Sequence, residues 1–229
     1  MLQGNQYYLE MVCWRNNKLG YLYDSCVFIH CIKGASEILK VAAHCKNQKK
    51  RMIVSDEVVN ELYPGKKVEE ESIRESAIAL QKCVLFAING KVIDIINIKE
   101  NCEIHSNYKK IRAQFYGWMT RTDYLDRLIK RGIITAEEIK SKGFRFKDVG
   151  ECTLVAIAMT NPHTYEIITE DKGEVYKHPN QNIFDTYTAC YEIKVWKYAE
   201  WKENTGYIDD NAAKTRPYQP KPSTKAISQ

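Results

Sequence analysis

The stretch 147–173, KDVGECTLVAIAMTNPHTYEIITEDKG, constrains the fold more than any other. Gly150-Glu151 opens an apolar segment rich in small residues, CTLVAIAM, which reads as a helix and stops at Asn161-Pro162, where proline cannot continue it. Directly after comes Tyr165-Glu166-Ile167-Ile168-Thr169, a short buried strand that ends at Thr-Glu-Asp-Lys-Gly. The same arrangement occurs twice upstream. LGYLYDS (19–25) is an apolar, aromatic run ending on Asp24 before VFIHCIKG, and MIVSD (52–56) ends at a helix cap, Ser55 or Asp56, before EVVNELY and the stop at Pro64-Gly65. Residues 66–88 form an amphipathic helix with Ile73, Ala77, Leu80 and Val84 along its stripe, and 92–98 form a further strand. Strands alternating with helices predict an α/β fold, a three-layer α/β/α sandwich around a mainly parallel sheet.

Four carboxylates stand out against this frame. On a helical period Glu151 shares a face with Leu154, Val155 and Ala158, a costly position unless it is paired. It is as well explained as a first-turn acid favoured by the helix dipole. Asp171 follows a strand end, the region where open parallel sheets bind ligands, although alone it is also an ordinary turn aspartate. Asp24 ends a strand in the same way. Glu61 falls in the last turn of its helix, the wrong end for the dipole, whereas Asp56 and Glu57 are conventional first-turn acids. Asp94, in mid-strand, is structural or edge-facing rather than catalytic. Asp24, Glu61, Glu151 and Asp171 converging on one rim would repel one another, and a divalent cation would make the cluster tolerable. Oxygen-only ligands suit Mg²⁺ or Mn²⁺.

Length favours one domain, residues 1–204, carrying an insertion at about 99–147 and followed by a flexible polar tail at 205–229 with prolines at 217, 220 and 222. Residues 7–14 carry an edge strand or an extension. The segment 173–182 reads as a linker, 182–185 as a last short strand and 186–204 as one helix. No run is apolar and long enough to span a bilayer, and no signal pattern opens the chain, so no membrane role is expected. Eight cysteines lie scattered without a CxxC pair, which argues for reduced thiols in a cytoplasmic protein and against structural zinc.

Residues 105–147 differ in kind. They hold eleven Lys or Arg against four Asp or Glu, a local net charge of +7 in a chain whose total is +5, with seven interleaved aromatics. Most of those aromatics (Tyr108, Phe115, Tyr116, Trp118, Tyr124, Phe144 and Phe146) fit a core. Two helices are punctuated here, one from Thr122 to a stop at Gly132, the other opened by the capping box Thr135-x-x-Glu138 and stopped at Gly143. Lys109, Lys110, Arg112, Arg121 and Arg145 are the candidates for contact with a polyanion, in the manner of a phosphate-backbone surface.

YLYDS (21–25), VSDEVVNEL (54–62), GECTLVAIAM (150–159) and IITEDKG (167–173), in this order, resemble the PIN-domain nucleases over roughly residues 19–200. The resemblance implies a PIN-like sandwich whose acids, Asp24, Glu61, Glu151 and Asp171, form a metal site that cuts single-stranded RNA. Thr169 matches the small hydroxyl residue before the last acid and Ser25 the polar residue after the first. Asp148 is a spare acid nearby, a ligand or an auxiliary one. The chain departs from the small PIN toxins in its basic insertion and tail, and from many members in the Lys-Gly after Asp171.

The expected function is a metal-dependent endoribonuclease with RNA as substrate. One variant is the toxin of a toxin–antitoxin pair, whose antitoxin protein would block the acidic rim. A second is a catalytically silent PIN-like module that binds nucleic acid or protein. A flap-type DNA nuclease would call for more acids than these. A homodimer is compatible with the resemblance, but no residue pattern signals one.

Overall fold

The computed structural model describes residues 19–32, 34–63, 70–141 and 143–208. The first strand, β1 (Gly20–Tyr23), is buried along its whole length and runs into helix α1 (Ser25–His30) and then α2 (Ala35–Asn47). Strand β2 (Arg51–Ser55) passes directly into α3 (Asp56–Glu61), whose N-terminus is capped by Ser55 Oγ accepting from the Val58 amide at 3.1 Å. After α4 (Glu71–Asn89) come β3 (Asp94–Ile96), α5 (Cys102–Tyr116), α6 (Thr122–Lys130) and α7 (Ala136–Lys140). Helix α8 (Val149–Thr160) leads to β4 (Tyr165–Ile168). A small hairpin follows, β5 (Glu174–Val175) with β6 (His178–Asn182), and the described chain closes with α9 (Ile183–Tyr191), β7 (Lys194–Trp196) and α10 (Tyr198–Thr205).

Five strands form one sheet in the order β3-β2-β1-β4-β7, every pairing parallel. The α/β expectation is met: a parallel sheet is flanked by helices, compatible with three layers. Parallel strands joined through helices must be buried on both faces, which is why β1 and the ends of β2 and β4 carry only apolar or small residues. Helix α2 packs against β2 and α4, while α8 packs against α5, α9 and β4. Helix α8 is buried almost all round, from Cys152 to Met159, as its uniform apolar sequence demands.

Ion pairs hold the N-terminal end of the sheet. Arg51 makes two bonds to Asp94, at 2.9 and 2.7 Å, tying β2 to β3, so Asp94 is structural as expected. Glu166 on β4 accepts from Lys50 Nζ at 2.6 Å and from Trp196 Nε1 at 2.7 Å, which joins β7 to the sheet.

Several sequence expectations need correction. The 173–182 linker holds the β5–β6 hairpin, and residues 182–185 begin a helix: Asn182 caps α9 through its side chain, accepting from the Asp185 amide at 3.0 Å. The single helix expected over 186–204 is broken because Glu192 turns left-handed (φ 53°), which frees residues 194–196 to add an edge strand. The strand over 92–98 contracts to Asp94–Ile96. The basic segment begins with α5, a helix its mixed composition hid. The fold runs past residue 204, since Tyr207 packs on Trp201 and His44 with ring centroids 5.6 and 5.2 Å apart. Residues 7–14, the Pro64-Gly65 stop, the start of the 66–88 helix and residues 209–229 of the expected tail lie outside the described residues.

The Thr135–Glu138 capping box forms, and of the seven aromatics Phe115, Tyr116 and Phe144 are buried while Phe146 is exposed. Among the described residues seven cysteines are free and no helix is long and apolar enough to cross a membrane.

Candidate functional site

In the strand order β3-β2-β1-β4-β7 the winding reverses between β1 and β4, and at such a switch point the loops beyond the carboxyl ends part to leave a crevice. Asp24 stands there. Its amide extends the ladder by donating to the Ile168 carbonyl at 3.0 Å, which fixes it as the last position of β1 and the N-cap of α1. The carboxylate is 2% exposed. Oδ1 accepts from the Ser25 amide at 2.7 Å, and Oδ2 accepts from Thr169 Oγ at 2.7 Å and from the Cys26 thiol at 2.9 Å. Burial still raises its pKa, opposed by those three donors and reinforced by the like charge of Asp171.

Glu61 closes α3 on the rim of the crevice and is an exposed residue. It accepts from Ser25 Oγ at 2.8 Å and from the Gly150 amide at 2.9 Å. The approach is so close that a Cβ on residue 150 would sit 2.6 Å from one carboxylate oxygen and 2.9 Å from the other. A larger residue there has to move Glu61. Desolvation pushes the Glu61 carboxyl up to about 7, against the Ser25 and Gly150 bonds and with help from the charge of Asp24.

Glu151 stands in the first turn of α8. Burial raises its pKa well above the ordinary carboxyl value, and the charges of Asp24, Asp148 and Asp171 raise it further. Asp171 lies past β4 in an exposed loop that hydrogen bonds hold in place. Its amide donates to Thr169 Oγ at 2.9 Å, and its Oδ1 accepts from the Gly173 amide at 2.7 Å. Lys197 Nζ donates to the carbonyls of Glu170 and Asp171 at 2.9 and 2.7 Å.

Asp148 turns to other partners. It accepts from the Tyr116 hydroxyl and, at 3.1 Å, from the Tyr176 amide, which anchors the hairpin to the start of α8. Its pKa is raised by burial, and Asp171 contributes in the same direction. Asp148 therefore acts on the cluster through its charge while its Oδ2 serves the scaffold.

Electrostatically the four predicted acids form one cluster, with Ser25 bridging Asp24 and Glu61 and Thr169 bridging Asp24 to the Asp171 loop. In their present rotamers, however, no three His, Cys, Asp or Glu side chains among the described residues stand together closely enough to grip a cation. Cys26 was not legible as a site residue. Two positions after a strand-end acid it reads as a core thiol, yet burial beside Asp24 pushes it up to about 12 and keeps it a proton donor to that acid. Tyr116 and Lys197, equally unmarked by sequence, hold Asp148 and the Asp171 loop.

The basic candidates separate. Lys109, Lys110 and Arg145 are exposed. Arg112 instead turns inward, donating to the carbonyls of Lys147 and Arg145 and lying 4.0 Å over the Tyr116 ring, so it is a scaffold residue. Arg121 pairs on the surface with Asp123 at 3.4 Å.

Comparison with family models, curated proteins and solved structures finds no match to this chain.

Proposed function

We propose that the protein is a PIN-type endoribonuclease that hydrolyses phosphodiester bonds of single-stranded RNA with the help of a divalent cation. The observation that carries this reading is the set of carboxylates from β1, α3, α8 and the loop after β4, three of them with pKa values raised by burial, gathered at the sheet's switch point. Such a set is unfavourable unless a cation or protons neutralise it. The donors fit a hard cation, being all oxygen and free of histidine, and Asp24, Glu151 and Asp171 would hold it. When bound, Mg²⁺ or Mn²⁺ supplies Lewis-acid polarisation and charge neutralisation at the phosphate.

The protein's own residues do the rest. Ser25, Cys26 and Thr169 orient Asp24, while Gly150 and Ser25 orient Glu61. With a pKa of about 7, Glu61 is suited to accept the proton of the attacking water. Lys109, Lys110 and Arg145, exposed on the basic segment, carry the RNA backbone.

A second reading, a PIN-like module that binds RNA without cutting it, draws on the hold that Ser25 and Gly150 have on Glu61. A toxin role with an antitoxin partner would use the same site. Incubating purified protein with a labelled mixed RNA pool in Mn²⁺, Mg²⁺ or EDTA, beside a folded Asp24→Asn variant, separates cutting from binding. Metal-dependent cleavage lost in the variant is expected; binding with no cleavage under any condition would favour the silent module.

A further inference from the structure

Two cavities open beside the Asp171 loop, and they meet at one residue. The nearer, of about 470 Å³, is lined by Asp171 itself, by Lys172 and Lys197, and on its far side by Asp185. The farther, of about 390 Å³, begins at Asp185 and is walled by Gln114, Asn180, Gln181 and Thr186. Asp185 thus stands between the two cavities, and a strand crossing it would run from the Asp171 loop and two lysines to a pocket whose polar groups are amides, a hydroxyl and one carboxylate.

This path is fixed in place. The Asn182 side chain donates to the Lys172 carbonyl at 2.7 Å and accepts from the Asp185 amide at 3.0 Å, so the catalytic-side loop and the start of α9 are joined by one residue. Gly173 permits the approach: its φ is +74°, and a Cβ there would fall 2.3 Å from the Phe184 ring. In the far pocket Tyr187 donates to Gln114 Oε1 at 2.8 Å, which leaves the Gln114 NH₂ to donate elsewhere.

The chemistry of the far pocket selects its ligand. The Asp185 carboxylate, with no lysine or arginine in this lining to offset it, disfavours a phosphate here. A nucleobase with N–H groups suits it, and unstacked bases of single-stranded RNA are read on such edges. Among the four bases only guanine presents two adjacent N–H donors, N1 and N2, that a carboxylate accepts as a pair. Its O6 and N7 acceptors match the amide donors of Gln114, Asn180 and Gln181. Lys172 and Lys197 would flank the phosphate between this base and the cluster.

We propose that the amide-lined pocket around Asp185 is a guanine-selective subsite for a nucleotide adjoining the cleaved bond. The proposal rests on the ribonuclease reading above. The test measures binding in EDTA, by fluorescence anisotropy, of short labelled oligouridylates carrying a single guanine, adenine or cytosine. The intact protein should prefer the guanine oligomer by about tenfold, the discrimination of one paired base contact. Asp185→Asn should bring the preference within about twofold while leaving affinity for plain oligouridylate unchanged, and Gln181→Ala, on the exposed hairpin, should weaken the preference in part. Circular dichroism confirms that both variants are folded. A protein that cuts RNA with Mn²⁺ but shows no guanine preference, or keeps it in Asp185→Asn, overturns the subsite alone. One that neither binds nor cuts RNA overturns both readings.

Discussion

Asp24 and Glu151 respond in opposite ways to the loss of charge. Asp24 is surrounded by donors, the Ser25 amide, the Thr169 hydroxyl and the Cys26 thiol, so an asparagine NH₂ must face one of them. Glu151 has no such set, and its charge is opposed by Asp24, Asp148 and Asp171. Glu151→Gln should therefore stabilise the metal-free protein by about 1 kcal/mol, read by urea denaturation, while abolishing cleavage, a trade typical of strained active sites. Gly150→Ala should separate the two properties again. Its methyl drives Glu61 away and should lower the cleavage rate at least about tenfold, while the helix gains about 0.5–1 kcal/mol from the better helix former, so folding stability should hold or rise. At this scale the sequence was informative about the acids and silent about their partners. Asp24, Glu61, Glu151 and Asp171 could be picked out from their places at strand ends and helix termini, although Glu151 and Asp171 each also fit an ordinary local role. Cys26, Tyr116 and Lys197 carry no such mark, and only three-dimensional proximity reveals them.

The elements that support the site were legible in proportion to how uniform they are. Helix α8 and strands β1, β2 and β4 are nearly pure in character, since burial on both sides demands it. The β5–β6 hairpin, with a sequence of Glu, Val, His, Pro, Asn and Gln, offers no alternation, and α9 was read as helix from 186 but its ends were hidden, because its start depends on the Asn182 cap and its end on a left-handed Glu192. The hairpin nonetheless touches the site through the Tyr176 amide on Asp148, and Gly173 just before it lets the loop pack against Phe184. Gly173→Ala places a methyl into Phe184 at a positive φ and should destabilise the fold by about 2 kcal/mol, measured as a shifted denaturant midpoint with an unchanged slope. If that midpoint does not move, the loop is not held against α9 as described.

For the whole molecule, charge sets two pH- and salt-dependent behaviours. Asp24, Glu61 and Glu151 all have folded pKa values raised above the ordinary carboxyl range, so between about pH 4.5 and 7, the Glu61 window, the native state binds more protons than the unfolded chain. Stability of the metal-free protein should therefore fall as pH rises through that window, the reverse of a carboxylate held by a salt bridge. Added Mn²⁺ should restore the lost stability, more at pH 8 than at pH 5, since cations and protons compete for the same oxygens. The net charge of +5, concentrated in the basic segment, predicts RNA binding that weakens steeply with salt. Lys109→Ala with Lys110→Ala should flatten the log–log salt slope by about 1.4 if both contact phosphates of a single strand.

Calorimetric titration of Mn²⁺ into the metal-free protein at pH 8, beside folded Asp24→Asn and Glu151→Gln variants, tests the central claim most directly. Saturable binding to the intact protein, with proton release and its loss in both variants, is the predicted result. A folded protein that takes up no Mn²⁺, or that binds it equally well in both variants, would contradict the reading of these acids as a cation site.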